Sequence, residues 1–304
     1  MVRVQRVCTR TLIHDMTQPI GIFDSGIGGL SVLRALRGEL PNEHFIYIAD
    51  SGHAPYGERN DAHVIERSQK IAAYLVKQNI KALVVACNTA TAAAIDLLRA
   101  MYPGLPIVGV EPALKPAVAA SQTKHIAVMA TRSTLESARF AALLKAQAVH
   151  ARFSLLACDG LAQAIEQSAE RQNATELRAA CARIMGATSL FDAEIAFDNP
   201  VDTIVLGCTH YGFAAQHIAE LAGAHVTLLD TGEAVARQTH RLLGNSCPIE
   251  AASQAPSQAP SQAPNKATGS DSAAEFITTG NPAILRAAAF TWLGLQSTVR
   301  TLGI

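Results

Sequence analysis

Two cysteines in similar sequence surroundings are the side chains best suited to chemistry in this chain. Cys87 ends an apolar run that begins at Ala82, and Cys208 ends another that begins at Thr203. Hydroxyl, amide or imidazole side chains follow each cysteine at once. A helix N-terminus lowers the pKa of a thiol from its ordinary value of about 8.5, which favours the reactive thiolate. Two such thiols could act as one proton acceptor and one proton donor.

Each cysteine also has a purely structural interpretation. A cysteine in an apolar strand often packs as a small hydrophobic residue. The two thiols could alternatively form a redox disulfide, although they lie 121 positions apart (208 minus 87). The repeated surroundings favour the acid/base interpretation and predict that both thiols face one cleft.

Polar side chains near other strand ends are further candidates. Asp24 and Ser25 open a glycine-rich turn at a helix start, where backbone N–H groups can bind an anion. The turn lacks the spacing of a dinucleotide site or a P-loop, so a tight turn capped by Asp24 or Ser25 is an equal alternative. His210 could hydrogen-bond a thiol or a substrate. Tyr56 and Gly57 lie in a polar loop at a strand end, a common place for ligand contacts.

Short apolar runs alternate with helical patterns along the chain. Apolar runs without polar alternation indicate strands buried on both faces of a parallel sheet, connected by right-handed helical crossovers. Open sheets of this α/β class bind ligands at the carboxyl ends of their strands, where both cysteines stand. Strands are predicted at 20–23, 44–49, 82–87, 107–110, 126–130, 151–157, 203–208, 225–229 and 276–278. Helices are predicted at 30–40, 62–78 with Asp61 as its cap, 89–101, 135–148 after a turn at 131–134, 161–167, 174–185, 231–243 and 282–293.

The order of strands and helices starts again after residue 110, so we predict two pseudo-symmetric α/β domains with the active site in the cleft between them. Residues 19–110 and 225–304 would form the first domain. Residues 111–224 would form the second. Each domain would then contribute one cysteine.

Two segments fall outside this pattern. Residues 1–18 show no periodicity and are predicted to be a dispensable tail, or to reflect a start codon assigned at Met1 in place of Met16. Residues 253–264 repeat Ser-Gln-Ala-Pro three times. Because this stretch lacks large apolar side chains, we predict a disordered insert over 251–272.

Length, charge and cysteine usage exclude several classes of protein. The chain has 304 residues, of which 49% are hydrophobic, and this suffices for two domains with a substantial core. Lys plus Arg and Asp plus Glu each number 25, so no basic field attracts nucleic acid. No transmembrane or secretory segment is evident, and we expect a cytoplasmic protein with no membrane partner. The cysteines lack C-x-x-C spacing, which predicts free thiols and no metal site at Cys8, Cys87, Cys158, Cys181, Cys208 and Cys247.

The motifs around the cysteines resemble those of the cofactor-independent glutamate racemases of bacterial cell-wall synthesis. The resemblance runs from about residue 20 to 230, and more weakly beyond. It rests on Gly-Ile-Phe-Asp-Ser-Gly-Ile-Gly-Gly-Leu-Ser-Val (21–32), Asp50 with Pro-Tyr-Gly (55–57), Val-Val-Ala-Cys-Asn-Thr-Ala (84–90), Ala-Thr-Arg-Ser-Thr (130–134) and Val-Leu-Gly-Cys-Thr-His-Tyr (205–211). The resemblance implies the interconversion of L- and D-glutamate without a cofactor, to supply D-glutamate for peptidoglycan.

The resemblance also implies roles for single residues. Cys87 would take the α-proton of D-glutamate and Cys208 that of L-glutamate. Asp24 would support Cys87, His210 would support Cys208, and Glu166 matches a further glutamate of the family. Substrate contacts would fall on Asp24, Ser25, Tyr56, Gly57, Asn88, Thr89, Thr209 and His210.

The chain departs from the family pattern at three places. Asp-Gly-Leu at 159–161 differs from the usual residues before Glu166, Gly212 stands where the family usually has proline, and the Ser-Gln-Ala-Pro insert is foreign to the pattern. Other functions stay open at this point: racemisation of a related acidic amino acid such as aspartate, carboxylate binding with incidental thiols, and thiol-disulfide exchange. A homodimer is compatible with the sequence, which does not determine the oligomeric state.

Overall fold

A computed structural model describes residues 18–171, 173–191, 199–244 and 274–304. The predicted insert at 251–272 lies outside these ranges, and so does the predicted tail apart from Gln18.

Ten strands occur in the described residues, and every pairing between them is parallel. They are Ile20–Asp24 (β1), Phe45–Ala49 (β2), Ala82–Val85 (β3), Ile107–Gly109 (β4), His125–Ala130 (β5), Arg152–Ala157 (β6), Thr203–Leu206 (β7), Thr227–Leu229 (β8), Ala274–Thr278 (β9) and Val299–Thr301 (β10).

Helices connect these strands and lie over the sheets. The α-helices are Leu30–Glu39 (α1), Asp61–Lys77 (α2), Asn88–Met101 (α3), Leu114–Ala120 (α4), Arg132–Glu136 (α5), Ala138–Gln147 (α6), Leu161–Arg171 (α7), Thr175–Gly186 (α8), Ala215–Ala222 (α9), Gly232–Gly244 (α10) and Pro282–Leu293 (α11). Short 3-10 helices span Ser51–His53, Tyr56–Glu58, Ser189–Phe191 and Thr209–Ala214. Within the described ranges, no helix is long and apolar enough to cross a membrane.

The strands form two sheets, in agreement with the predicted α/β class. The first sheet has the order β10-β9-β2-β1-β3-β4, and the second has the order β6-β5-β7-β8. The strands that lead to the two cysteines, β3 and β7, are both interior strands. Their carboxyl ends therefore lie in the middle of a sheet edge, where neighbouring strands can surround a ligand.

The apolar sequences of the central strands match their burial on both faces of the first sheet. Every residue of β1, β2 and β3 is buried, as expected where helices cover both faces of a sheet. Alternate side chains of a strand point to opposite faces. Ile22 accordingly packs in one apolar core of the first sheet, and its neighbour Phe23 packs in the core on the other face.

The domain boundary predicted at residue 224 is wrong for one strand. We expected the strand at 225–229 in the first domain, yet β8 pairs with β7 in the second sheet. Consecutive strands joined by a single helix usually lie side by side, and the short helix α9 returns the chain next to β7. The chain crosses back to the first sheet only after β8.

Several local features also differ from the prediction. The cap of α2 is Asn60, whose side chain accepts from the N–H of His63, and Asp61 is the first helical residue. The helix predicted at 135–148 breaks at Ser137, which accepts from the N–H of Phe140 and starts α6. Helix α4 was not predicted, because it contains a proline that its first turn tolerates. The three-residue strand β10 is too short to show a pattern.

Candidate active site

The two cysteines line one pocket between the sheets, as predicted. Each stands two residues beyond the last residue of its strand, Cys87 after β3 and Cys208 after β7. The pocket encloses about 560 Å³ of space that no protein atom fills, part of it open to solvent. Two thiols from different sheets therefore face the same small-molecule space.

Most of the predicted site residues lie in this pocket. Asp24 and Thr209 lie behind its wall, where the Thr209 hydroxyl donates to Asp24 Oδ2 at 2.9 Å. The residues in the wall itself are Ser25, Tyr56, Gly57, Cys87, Asn88, Thr89, Glu166, Cys208 and His210.

Cys87 is the N-cap of α3, and it forms two long hydrogen bonds. Its Sγ accepts from the N–H of Ala90 at 3.4 Å and donates to Ser25 Oγ at 3.9 Å. Burial raises the pKa of Cys87, the negative charge of Asp24 raises it further, and the bond from Ala90 lowers it by less. The helix N-terminus lowers the pKa through the N–H of Ala90, as predicted, but burial outweighs it, so the expected net lowering is wrong for this thiol. These shifts favour the protonated form of Cys87 at neutral pH.

Asp24 joins the Cys87 side of the pocket to the second sheet. Its Oδ1 accepts from the N–H of Gly26 at 2.7 Å and from the Ser25 hydroxyl at 3.4 Å. Burial raises the pKa of Asp24 to about 6, against the opposing effects of His210 and of the hydrogen bonds from Gly26 and Thr209. Asp24 is thus mainly ionised at pH 7. Within the described residues no side chain caps α1 itself, while the Asp24 carboxylate caps the turn before it, as the sequence allowed.

Cys208 is connected to a buried histidine and a carboxylate. Cys208 Sγ lies 3.8 Å from Nδ1 of His210, and Nε2 of His210 lies 2.8 Å from Oε1 of Glu166. Burial alone lowers the pKa of His210. The hydrogen bonds to Cys208 and Glu166 and the charge of Asp24 outweigh it, and the pKa is well above its ordinary value. His210 is therefore a cation at neutral pH, with one N–H for each neighbour.

The glycine-rich turn lets this cluster approach the first sheet. The N–H of Ile27 donates to Glu166 Oε1 at 2.8 Å. A Cβ atom at Gly26 would overlap Glu166, and a Cβ atom at Gly28 would overlap the ring of His210. One backbone N–H of the turn thus binds a carboxylate. In this structure the carboxylate belongs to the protein.

Asn88 and Thr89 begin α3 and present polar atoms to the pocket. Asn88 Nδ2 donates to the carbonyl of Val110 at 3.4 Å, and its buried Oδ1 has no hydrogen-bond partner among the residues that the structure describes. Thr89 Oγ1 lies 3.1 Å from Oγ1 of Thr131, a residue that follows β5 in the second sheet. An unpaired buried oxygen is costly, and a ligand N–H would satisfy it.

Tyr56 contributes less polarity than the sequence suggested. Its hydroxyl donates to Asp50 Oδ2 at 2.6 Å, and Arg67 holds the same carboxylate with two N–H groups at 2.9 Å. Burial and the Asp50 charge raise the pKa of the Tyr56 hydroxyl, which stays protonated. Tyr56 therefore offers its ring and backbone to a ligand. The adjacent Gly57 packs closely against Thr131.

Some pocket residues were not predicted from the sequence. Thr131 and Pro55 both lie in motifs that carry the family resemblance, and this was the available signal. The others come from the loop after β6 and from the two positions that flank the Pro-Tyr-Gly motif, which lack such a signal. The residues missed in the wall are Ala54, Pro55, Glu58, Thr131, Cys158, Asp159, Gly160 and Ala162. Within the described part of the chain, no group of three or more His, Cys, Asp or Glu residues could hold a metal ion.

Comparison with known proteins agrees with this geometry. The sequence profile described as Asp/Glu/Hydantoin racemase matches residues 30–239, more than half of the chain. The glutamate racemase of Ectopseudomonas mendocina is 49% identical over 233 residues, which cover 76% of this chain and 84% of the relative. That of Pseudomonas paraeruginosa is 44% identical over 237 residues, 78% of this chain and 86% of the relative. The chain belongs to the glutamate racemases of the Asp/Glu/hydantoin racemase family.

Solved glutamate racemases share the fold of this chain. Isoform RacE1 from Bacillus anthracis superposes with a TM-score of 0.75 at 26% identity, covering 95% of this chain and 98% of the other. The Escherichia coli glutamate racemase, solved with L-glutamate and the activator UDP-MurNAc-Ala, gives a TM-score of 0.74 at 27% identity, covering 94% and 98%. As a member of this family, the chain is an amino-acid racemase, an isomerase.

Proposed function

We propose that this racemase interconverts L-glutamate and D-glutamate by proton transfer between two cysteines without a cofactor, and that it supplies D-glutamate for peptidoglycan synthesis in the cytoplasm. The observation that carries the proposal is the position of Cys87 and Cys208, which line one pocket from different sheets. Inversion at a carbon requires a base on one face and an acid on the other, and two opposed thiols supply both.

The charges around the thiols support a direction for each. Cys87 is protonated and can deliver a proton, while Cys208 faces the His210 cation and can receive one. In the reaction of L-glutamate, Cys208 would take the α-proton as a thiolate, and Cys87 would give a proton to the opposite face. For D-glutamate the roles exchange. The Cys87 proton would then leave through Ser25 toward Asp24, along the hydrogen bonds at 3.9 and 3.4 Å.

The polar groups of the pocket match the rest of an amino-acid substrate. The unpaired Oδ1 of Asn88 would accept from the substrate ammonium group. The hydroxyl group of Thr89 would donate to a carboxylate oxygen and stabilise the negative charge that develops as the α-proton leaves. Each of these groups is held by the fold before substrate binds, which lowers the cost of reorganisation.

The proposal is tested by following the optical rotation of L-glutamate with purified protein and no added cofactor. Cys87→Ala and Cys208→Ala should each lower racemisation by at least about 10²–10⁴-fold, the usual contribution of a general acid or base. In D₂O, Cys208→Ala should still exchange the α-proton of D-glutamate, because Cys87 remains. L-Aspartate in the same assay tests the alternative substrate.

Cys158→Ala is the matched control, because Cys158 is a third buried cysteine in the same pocket wall. We expect it to retain most of the wild-type activity. Full racemisation by Cys87→Ala or Cys208→Ala would refute the two-thiol mechanism, and faster turnover of aspartate than of glutamate would refute the substrate.

A further inference from the structure

A pair of aromatic rings joins α11 to the segment that carries His210. The ring of Trp292 stacks on the ring of Phe213 with centroids 3.5 Å apart and an angle of 8° between the planes. Both side chains are half-buried, and each packs against a core of the first sheet and a core of the second. The stack therefore lies where the two halves of the molecule meet.

Phe213 belongs to the same short helix as the histidine of the active site. The 3-10 helix Thr209–Ala214 contains both His210 and Phe213, three positions apart. A 3-10 helix has three residues per turn, so side chains at i and i+3 lie one above the other. Phe213 is thus the residue directly below His210 on one face, and a shift of its ring moves the backbone that carries the imidazole.

The same helix α11 also packs on the partner of His210. It contacts α7, which carries Glu166, and it contacts α1, which follows the glycine-rich turn. Helix α11 therefore contacts α7, which holds Glu166, and through Trp292 it contacts the short helix that holds His210. It thus reaches both ends of the 2.8 Å bond between these two side chains. Among the described residues, α11 packs on α7 and α1 and makes no comparable contact with α3 or β3, the elements that flank Cys87.

We propose that Trp292 is a positioning residue that acts through Phe213 to hold His210 against Cys208. The inference rests on the proposed function, because it concerns the geometry of the Cys208 side of the two-thiol site. The stack would therefore affect the position of His210 beside Cys208 and leave the surroundings of Cys87 unchanged.

The first test replaces Trp292 by leucine, which removes the ring and keeps an apolar side chain. A displacement of a catalytic group by about 1 Å can cost ~10²-fold in rate, so we expect Trp292→Leu to lower kcat by about 10- to 100-fold with little change in KM. Trp292→Phe keeps an aromatic ring and should retain at least about half of the activity. Phe290→Ala is the control on the same helix, since Phe290 is 58% exposed and outside the stack. It should behave as wild type.

A double-mutant cycle separates positioning from a general loss of structure. If Trp292 acts through His210, adding Trp292→Leu to His210→Asn should not lower the rate further. Added to Ser25→Ala, which removes the hydroxyl that contacts Cys87, it should lower the rate by the same factor as in the wild type. Phe213→Leu provides a second variant for the same cycle if Trp292→Leu does not fold.

Three outcomes would overturn the inference. Trp292→Leu and Phe213→Leu could both retain wild-type kcat, or their effects could be equal in the His210→Asn and Ser25→Ala backgrounds, while the wild type racemises glutamate. These two results would leave the proposed function intact. A wild-type protein that does not racemise glutamate would overturn the proposed function, and this inference with it.

Discussion

At the scale of single residues, Asp24 combines a structural cost with a chemical use. It is fully buried, and burial raises its pKa from 3.8 to about 6. The folded protein therefore binds more protons than the unfolded chain between about pH 4 and pH 6. The contribution of Asp24 to the free energy of unfolding therefore falls as pH rises through this window and is constant above it. The charge that destabilises the fold at neutral pH is the one that could accept a proton from Cys87 through Ser25.

The buried charge of Asp24 predicts the effect of Asp24→Asn. The difference between about 6 and 3.8 corresponds to roughly 3 kcal/mol, and partial relaxation reduces it, so we expect the variant to be more stable by about 1–3 kcal/mol at pH 7.5. At pH 3.5 the gain should be small, because Asp24 is protonated in the folded wild type. Racemisation should fall at every pH. Urea unfolding of both proteins at the two pH values measures the effect, and an equal difference at both would contradict it.

The sequence predicted many of the side chains that line the pocket, but it did not predict the environment of each one. The repeated surroundings of Cys87 and Cys208 sufficed to select both thiols. The predicted pKa of Cys87 was wrong, because the helix N-terminus is a local feature and the burial that outweighs it comes from the whole fold. Similarly, the hydroxyl of Tyr56 is engaged by Asp50, and the guanidinium of Arg67 that completes this group comes from the following helix.

At the scale of elements, the glycine-rich turn is shaped by what packs against it. Gly28 has no room for a Cβ atom because the ring of His210 occupies the space. Gly38, near the end of α1, has no atom within 4 Å of a Cβ position. Gly28 precedes α1 and Gly38 lies in its last turn. Only Gly28 is required by a neighbouring side chain.

We therefore expect opposite results from two alanine substitutions. Gly28→Ala should displace His210 and lower kcat/KM by about 100-fold, since misplacement by 1 Å can cost that much. Gly38→Ala should leave activity unchanged and stabilise the protein by about 0.5–1 kcal/mol, because alanine is the better helix residue. Racemisation assays and thermal unfolding of both variants provide the measurements. Normal activity in Gly28→Ala would show that the imidazole can move without loss.

Elements with strong local patterns were predicted, and those defined by distant partners were not. The buried strands β1, β2, β3 and β7 were evident from their apolar runs. The sheet to which β8 belongs depends on pairing with β7, which no local pattern in β8 encodes. The contact between Thr89 and Thr131 likewise joins the start of α3 to the residue after β5, 42 positions apart. Neither residue alone indicates its partner.

At the scale of the whole molecule, several site residues form contacts that connect the two sheets. Asp24 binds Thr209, Ile27 binds Glu166, and Thr89 contacts Thr131. A ligand in this pocket would touch groups from both sides and join the two halves more tightly. Binding should therefore stabilise both sheets together.

Hydrogen exchange with and without D-glutamate tests this expectation. At a ligand concentration of 100 times Kd, the free energy of unfolding should rise by about 2.7 kcal/mol. Amide exchange should slow in β3 and in β7, because each strand leads to a wall of the pocket. Dilution into the same buffer with L-lysine serves as the control. Protection limited to one sheet would contradict a shared site.

The order of the strands also has a consequence for biosynthesis. In the finished protein β9 covers one side of β2, yet 225 positions (274 minus 49) separate the end of β2 from the start of β9. At about 5–20 residues per second, a ribosome needs roughly 11–45 seconds to cover this distance. Throughout that time β2 is an open edge with unpaired backbone groups, a template for wrong association. A chain whose synthesis stalls within this interval would therefore present the edge of β2 to other nascent chains.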